Sequence, residues 1–158
     1  MSLKDLKLDN IDRQILEKLQ LNAKITNSKL AEEVGLSPAP TLERVKKLEN
    51  AGLIKSYHAE LDKEQLGLGV GIFIQASLIG SRKTQFASFS KKVNEIPEVV
   101  ECYHITGTSD FLIKVLTKDI QTYNDFILEK LIDIDEIGSI QSMVILSTIK
   151  NAKTLPIK

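Results

Sequence analysis

Apolar side chains recur every three or four positions between Asp9 and Ala51, and every second position in several runs beyond Gly69. The first period belongs to helices and the second to strands with one buried face, so the chain reads as a helical part followed by a mixed part. In the helical part, Asp9 is placed to cap a helix carrying Ile11, Ile15, Leu16 and Leu19 on one face to about Leu21, with Asp12 in its first turn. A second helix is predicted over Asn27 to Val34, with Leu30, Ala31 and Val34 inward and Gly35 ending it. The third follows Leu36 at once. Ser37 is placed to cap it, and Pro38 and Pro40 fall in its first turn, where amides have no intrahelical acceptor. Leu42, Val45 and Leu48 form its expected buried stripe before Ala51 and Gly52 stop it.

Beyond Gly52 the period changes. Ile54 to Leu61 reads as a short extended arm, and its polar continuation to Leu66 suits a linker, which sets the expected domains at 1–65 and 66–158. The second part alternates over Gly69 to Leu78, turns helical from about Lys83 to Asn94, and is extended over Val99 to Thr106. The order then repeats: a strand over Asp110 to Thr117, a helix from about Ile120 to Leu131, and a strand over Ile137 to Ile149. The predicted fold class is α+β, with an N-terminal three-helix, winged-type helix-turn-helix and a C-terminal ferredoxin-like βαββαβ domain. Helices cover only one face of such a sheet. Phe73, Gln75, Tyr103, Leu112, Met143 and Ile145 would populate the other, and packing two such faces together predicts a homodimer.

Composition narrows the function. Apolar residues at 42 % and charged residues at 27 % fit an ordinary globular protein. No apolar run is long enough to span a bilayer, and the opening MSLKDLKLDN lacks the core of a secretory leader, so a cytoplasmic location with no membrane partner is expected. Cys102 is the single cysteine, which excludes an internal disulfide, and it reads as a strand core residue. With only His58 and His104 beside it there is no zinc spacing, so no metal and no cofactor are expected. His58 reads as an exposed arm residue and His104 as a hydrogen-bonded sheet residue. No nucleophile elbow, phosphate loop or paired catalytic acid stands out, and an enzyme is not expected.

Net charge is zero, so any case for nucleic acid rests on local arrangement. With Leu42, Val45 and Leu48 inward, the third helix would present Ala39, Pro40, Glu43, Arg44, Lys46 and Lys47 outward, joined by Ser37 and Thr41 from its first turn. Arg44 suits a guanine or a phosphate, Ser37 and Thr41 suit phosphates, and Lys46 and Lys47 suit the flanking backbone of double-stranded DNA. Spacing alone equally fits a three-helix packing unit with a solvated charged face.

Three blocks carry a resemblance. The run from Leu8 to Ile54, with GLSPAPTLERVKKLE at its centre, is similar to the helix-turn-helix of the Lrp/AsnC family of transcriptional regulators. The arm IKSYHAELDKEQLG and the loop region ECYHITGTSDFLIKV resemble that family's linker and effector-sensing domain. The resemblance implies a homodimer that stacks further, often into octamers, and changes assembly or DNA affinity when an amino acid binds between dimers. It places the effector site at Thr106, Gly107, Thr108, Ser109 and Asp110, together with Gln141, Ser142 and Met143 of a neighbouring dimer. The chemistry fits: Asp110 could hold an ammonium group, the turn amides and hydroxyls a carboxylate, and Met143 an adaptable side-chain pocket. The bland alternative for Asp110 is a turn cap. The turn Gly107-Thr108-Ser109-Asp110 lacks the acidic and aromatic residues of some leucine-responsive members, which weighs against leucine as effector. Two other readings are a nucleoid-organising protein without an effector and a small ferredoxin-like enzyme.

Overall fold

A computed structural model describes residues 7–80 and 83–157. Met1 to Leu6, part of the stretch read above for a leader, lie outside the described residues, as do Ser81 and Arg82. The chain forms two compact units. One runs to Glu60 and includes the segment from Lys150, and the other spans Leu61–Ile149. The division lies between Glu60 and Leu61, within the arm and linker that run from Ile54 to Leu66. The C-terminal segment belongs with the helices because Gln20 and Leu155 exchange two hydrogen bonds, 3.2 and 2.5 Å long.

The first unit consists of α1 (Asn10–Leu21), α2 (Asn27–Val34) and α3 (Pro38–Asn50). The Asp9 carboxylate accepts the Asp12 amide at 2.8 Å and caps α1. The Thr26 hydroxyl accepts the Lys29 amide at 3.2 Å and caps α2. Gly35 closes α2 with φ of 72°, a left-handed conformation that glycine adopts without a Cβ penalty. Ile15, Leu30, Val34 and Leu48 make the core, with Leu8, Ile11, Leu19, Ile25, Val45 and Ile54 around it. The arm after α3 carries no regular element among its described residues.

The second unit contains β1 (Val70–Leu78), α4 (Lys83–Asn94), β2 (Val99–His104), β3 (Phe111–Thr117), α5 (Ile120–Phe126) and β4 (Ile137–Val144). The sheet is antiparallel in the order β2-β3-β1-β4, the ferredoxin-like arrangement expected of βαββαβ. Ile72, Ile74 and Ala76 of β1 and Phe111, Ile113 and Val115 of β3 turn to the helices, where Phe89, Val93, Phe126 and Leu131 complete the core.

Three expectations change. The last strand ends at Val144 rather than Ile149, because β1 starts at Val70 and the bond from the Ile145 amide to Gly71 closes the β1–β4 ladder. Leu146 and Ile149 are consequently exposed. The helix predicted over 120–131 divides into α5 and a π-helical turn, Ile127–Leu131, in which the Ile132 amide reaches the Ile127 carbonyl at 3.0 Å. Phe126 and Leu131, five residues apart, are both buried in the same core. Cys102 is exposed rather than central, since β2 is an edge strand, although partial desolvation raises its thiol pKa. His104, on the same strand, sets its ring edge-on against Phe86 at 4.8 Å.

Candidate nucleic-acid interface and effector turn

Each residue of a helix advances about 100° around the axis, so one buried contact fixes the phase of the whole element. In α3 that contact is Thr41, fully buried, whose hydroxyl donates to the Ser37 carbonyl at 3.0 Å. Thr41, Arg44, Val45 and Leu48 form the inward stripe at spacing i, i+3, i+4, i+7, all buried or half-buried. Ala39, Leu42, Glu43 and Lys46 repeat the same spacing on the outward side and are exposed. Leu42, expected inside, is 43 % exposed; Thr41, expected outside, is inside. Pro40 is half-buried, and Ser37 is exposed with no capping bond from its side chain.

Arg44 also departs from its expected outward position. Its guanidinium donates to the Asp9 carboxylate at 2.6 Å and to the Asp12 carboxylate at 2.7 Å. Asp12 is fully buried, and Lys47 approaches its other oxygen at 3.4 Å. A buried carboxylate is tolerable only when paired, so α1 supplies a fixed negative charge that α3 must meet with Arg44. The Asp12 amide and then Arg44 hold the Asp9 carboxyl below the ordinary range, and the two carboxylates push the Arg44 pKa further up. Arg44 thus clamps the helix rather than projecting from it. Asp12, visible in the sequence only as a first-turn acid, is the residue that periodicity could not identify.

Two further contacts position α3. The Asn27 side chain donates to the Pro38 carbonyl at 2.7 Å, tying the start of α2 to that of α3. Tyr57 of the arm donates to Glu49 at 2.8 Å, and burial, then this bond, pushes its phenol up to about 12. His58 on the same arm bonds Ser56 at 2.7 Å.

In the second unit, the turn from Thr106 to Ser109 joins β2 to β3, with Thr106, Gly107 and Thr108 exposed and Ser109 and Asp110 half-buried. Gly107 has φ of 128°, in the region L side chains rarely adopt, while a Cβ would meet nothing within 4 Å. Glycine is needed there for backbone conformation, not for space. Asp110 is already at work: one carboxylate oxygen accepts the Leu78 amide at 2.8 Å, and its own amide donates to the Ala76 carbonyl at 3.0 Å. It thereby holds the end of β1 where the β1–β4 register slips.

The β4 residues divide between two faces. Gln141 and Met143 lie opposite Gln75 and Phe73 on the side without helices. Ser142 lies opposite Ile74 on the helix side, where its hydroxyl meets Tyr123 of α5. Strand alternation separates Ser142 from its two neighbours, so the three do not line one surface as expected. Within one chain β1 stands between Asp110 and Gln141, a span of two strand spacings, or about 10 Å.

Comparison with known proteins places both units. A family profile described as the Lrp/AsnC ligand binding domain matches residues 71–155, more than half of the chain, and one described as winged helix-turn-helix DNA-binding matches residues 8–55. This chain belongs to the Lrp/AsnC family. The Bacillus subtilis transcriptional regulator AzlB is 35 % identical over 150 residues, covering 95 % of this chain and 96 % of AzlB. The leucine-responsive regulatory protein of Escherichia coli K12 is 34 % identical over 151 residues, covering 96 % of this chain and 92 % of its own length. Among solved structures, a Neisseria meningitidis transcriptional regulator in complex with L-Met superposes with a TM-score of 0.91 at 36 % identity, covering 95 % of this chain and 97 % of that one. E. coli AsnC superposes with a TM-score of 0.84 at 33 % identity, covering 94 % and 100 %. The Lrp/AsnC likeness therefore spans both units, and these full-length relatives are transcriptional regulators. Among the described residues no helix is long and apolar enough to cross a membrane.

Proposed function

We propose that this Lrp/AsnC protein is a cytoplasmic, sequence-specific DNA-binding transcriptional regulator, not an enzyme, whose assembly or DNA affinity responds to an amino acid. The observation that carries the reading is the division of α3 into two stripes. One is locked to α1 by Arg44 and Asp12, and the other, at Ala39, Leu42, Glu43 and Lys46, faces solvent. A helix held that firmly by one side and bare on the other suits the major groove. Ser37, Pro40 and Lys47 flank the stripe, and Lys46 and Lys47 neutralise phosphates. Arg44 acts by position, without touching a base.

The amino acid binds at Thr106 to Asp110. Asp110 offers the negative charge for the ammonium group, the turn amides and threonine hydroxyls hold the carboxylate, and Gln141 and Met143 from a neighbouring dimer complete the pocket. Ser142, turned to the helix side, takes no part. The open sheet face, with Tyr103 51 % exposed, supports a homodimer that stacks into a larger ring, an octamer. The related N. meningitidis structure with L-Met supports methionine as the first amino acid to try.

The test is calorimetry of the full chain against the common L-amino acids. One or a few should bind the wild type, and Asp110→Asn, which keeps an acceptor for the Leu78 amide but removes the charge, should abolish the heat while retaining the oligomer. An unchanged dissociation constant for Asp110→Asn would remove the ammonium role; no binding by any amino acid would favour a nucleoid-type protein without an effector.

A further inference from the structure

Glu43 sits at the centre of the outward stripe of α3, an acid on the surface that has to approach a polyanion. It stands one turn from Ala39 and about one turn before Lys46, on the exposed side of the helix away from the Thr41–Leu48 stripe. Lys47 follows it at i+4, the spacing and orientation at which a glutamate and a lysine ordinarily pair on a helix. No such pair forms: the Lys47 ammonium turns instead toward Asp12, 3.4 Å away, and among the described residues no cation holds Glu43. The buried Asp12 therefore draws Lys47 away from Glu43, as it draws Arg44 inward, and among the described residues Lys46 at i+3 makes no ion pair with Glu43 either, which leaves that carboxylate unpaired.

A free carboxylate at the centre of a groove-facing helix is repelled by phosphates and by every base edge that offers only acceptors. Guanine presents N7 and O6, and thymine presents O4, so both are disfavoured. Adenine has an amino group, but its N7 acceptor lies beside it. Cytosine alone offers its 4-amino donor without an acceptor of its own in the major groove. On the same stripe Ala39 and Leu42 are apolar and exposed, and the thymine methyl is the apolar group the major groove provides.

Resting on the DNA-binding reading above, we propose that Glu43 is a specificity-determining residue that selects a cytosine in each half-site by accepting a hydrogen bond from its 4-amino group, next to a thymine whose methyl group meets Leu42. Binding to every other base at that position leaves the carboxylate desolvated against an acceptor, so discrimination comes as much from rejection as from attraction. Lys46, one turn on, has the reach to neutralise the phosphate that flanks the contact.

Site selection from a random-sequence duplex library, with the full-length wild type, Glu43→Gln and Glu43→Ala, tests this. The wild type should enrich sites with one symmetric cytosine preferred by about fivefold or more over other bases. Glu43→Gln, which gains a donor, should move that position toward adenine, and Glu43→Ala should make it indifferent while the remaining positions keep their preferences. Both variants should melt with the wild type, because the residue is exposed. Identical site profiles for all three proteins would overturn the role of Glu43 while leaving the regulator reading standing. A wild type that enriches no sequence would overturn that reading and this inference together.

Discussion

The two units keep their cores by different means. In the second, Ile72, Ile74, Phe89, Ile113, Val115 and Leu131 are fully or almost fully buried, and the buried polar side chain beside them, Thr117, is uncharged. In the first, the fully buried apolar side chains are few, and a charged residue, Asp12, is buried among them. The aliphatic core tolerates imperfect partners because dispersion and burial are non-directional. The charged one does not: Asp12 must be met by Arg44 in one place, and that requirement sets the rotation of α3. A unit whose purpose is to present one helix face accurately is served by a directional tie, whereas a unit that supports a sheet is served by bulk.

The sharpest way to break the comparison is to cut each core where it is strongest. Phe89→Ala in the second unit should cost about 3 to 5 kcal/mol by loss of burial and creation of a cavity, read as a fall in the chemical-denaturation midpoint of the sheet. Asp12→Ala in the first should cost about 2 to 3 kcal/mol, less than for a wholly buried pair because the Arg44 side chain is 29 % exposed. Hydrogen exchange distinguishes the two: Asp12→Ala should speed exchange of α1 to α3 amides and leave β1 and β3 protected. The double variant Asp12→Ala with Arg44→Met should recover most of the stability but not the orientation of α3, so DNA selectivity should stay low. Full recovery of selectivity would mean that the pair does not set the phase of the helix.

The smallest effect concerns pH, and it belongs to the second unit. Lys92 donates to Glu136 at 2.7 Å, and this bond, followed by one from Ser88, brings the Glu136 carboxyl from an ordinary 4.5 down to about 2. The folded state therefore binds the Glu136 proton less readily than the unfolded state does. The tie contributes its full stability above about pH 4.5 and loses it progressively as pH falls toward 2. Wild type minus Lys92→Gln, compared by thermal melting, should show a difference that shrinks across that window. A difference that stays constant from pH 6 to about 2 would show that Glu136 is not tied to Lys92 in solution.

Much of this was legible along the chain. The N-cap at Asp9, the glycine stop at Gly35, the alternation of β1 and β3, and the order of strands and helices all follow from local propensity and period. What escaped was the phase of α3. Leu42, Val45 and Leu48 look like a stripe, yet Leu42 lies about 100° from Thr41 and outside the buried sector. The correct stripe contains a threonine and an arginine, polar types that a hydrophobic pattern discards, and they are inward because Asp12, 32 residues from Arg44, is there to be neutralised. Ser142 escapes for a simpler reason: a surface made of three consecutive strand residues ignores the alternation that turns the middle one to the other face. The π-helical turn after α5 likewise carries no signature in a pattern compatible with an uninterrupted α-helix.

The most direct test of the account is the affinity of the full chain for a selected site and for random duplex of the same length, each at several salt concentrations and with or without the amino acid that calorimetry identifies. A regulator of the kind proposed should bind the selected site about a thousandfold or more tightly than random DNA, with the amino acid changing the first affinity or the size of the bound assembly. Equal affinity for both duplexes at every salt concentration, unmoved by any amino acid, would contradict it.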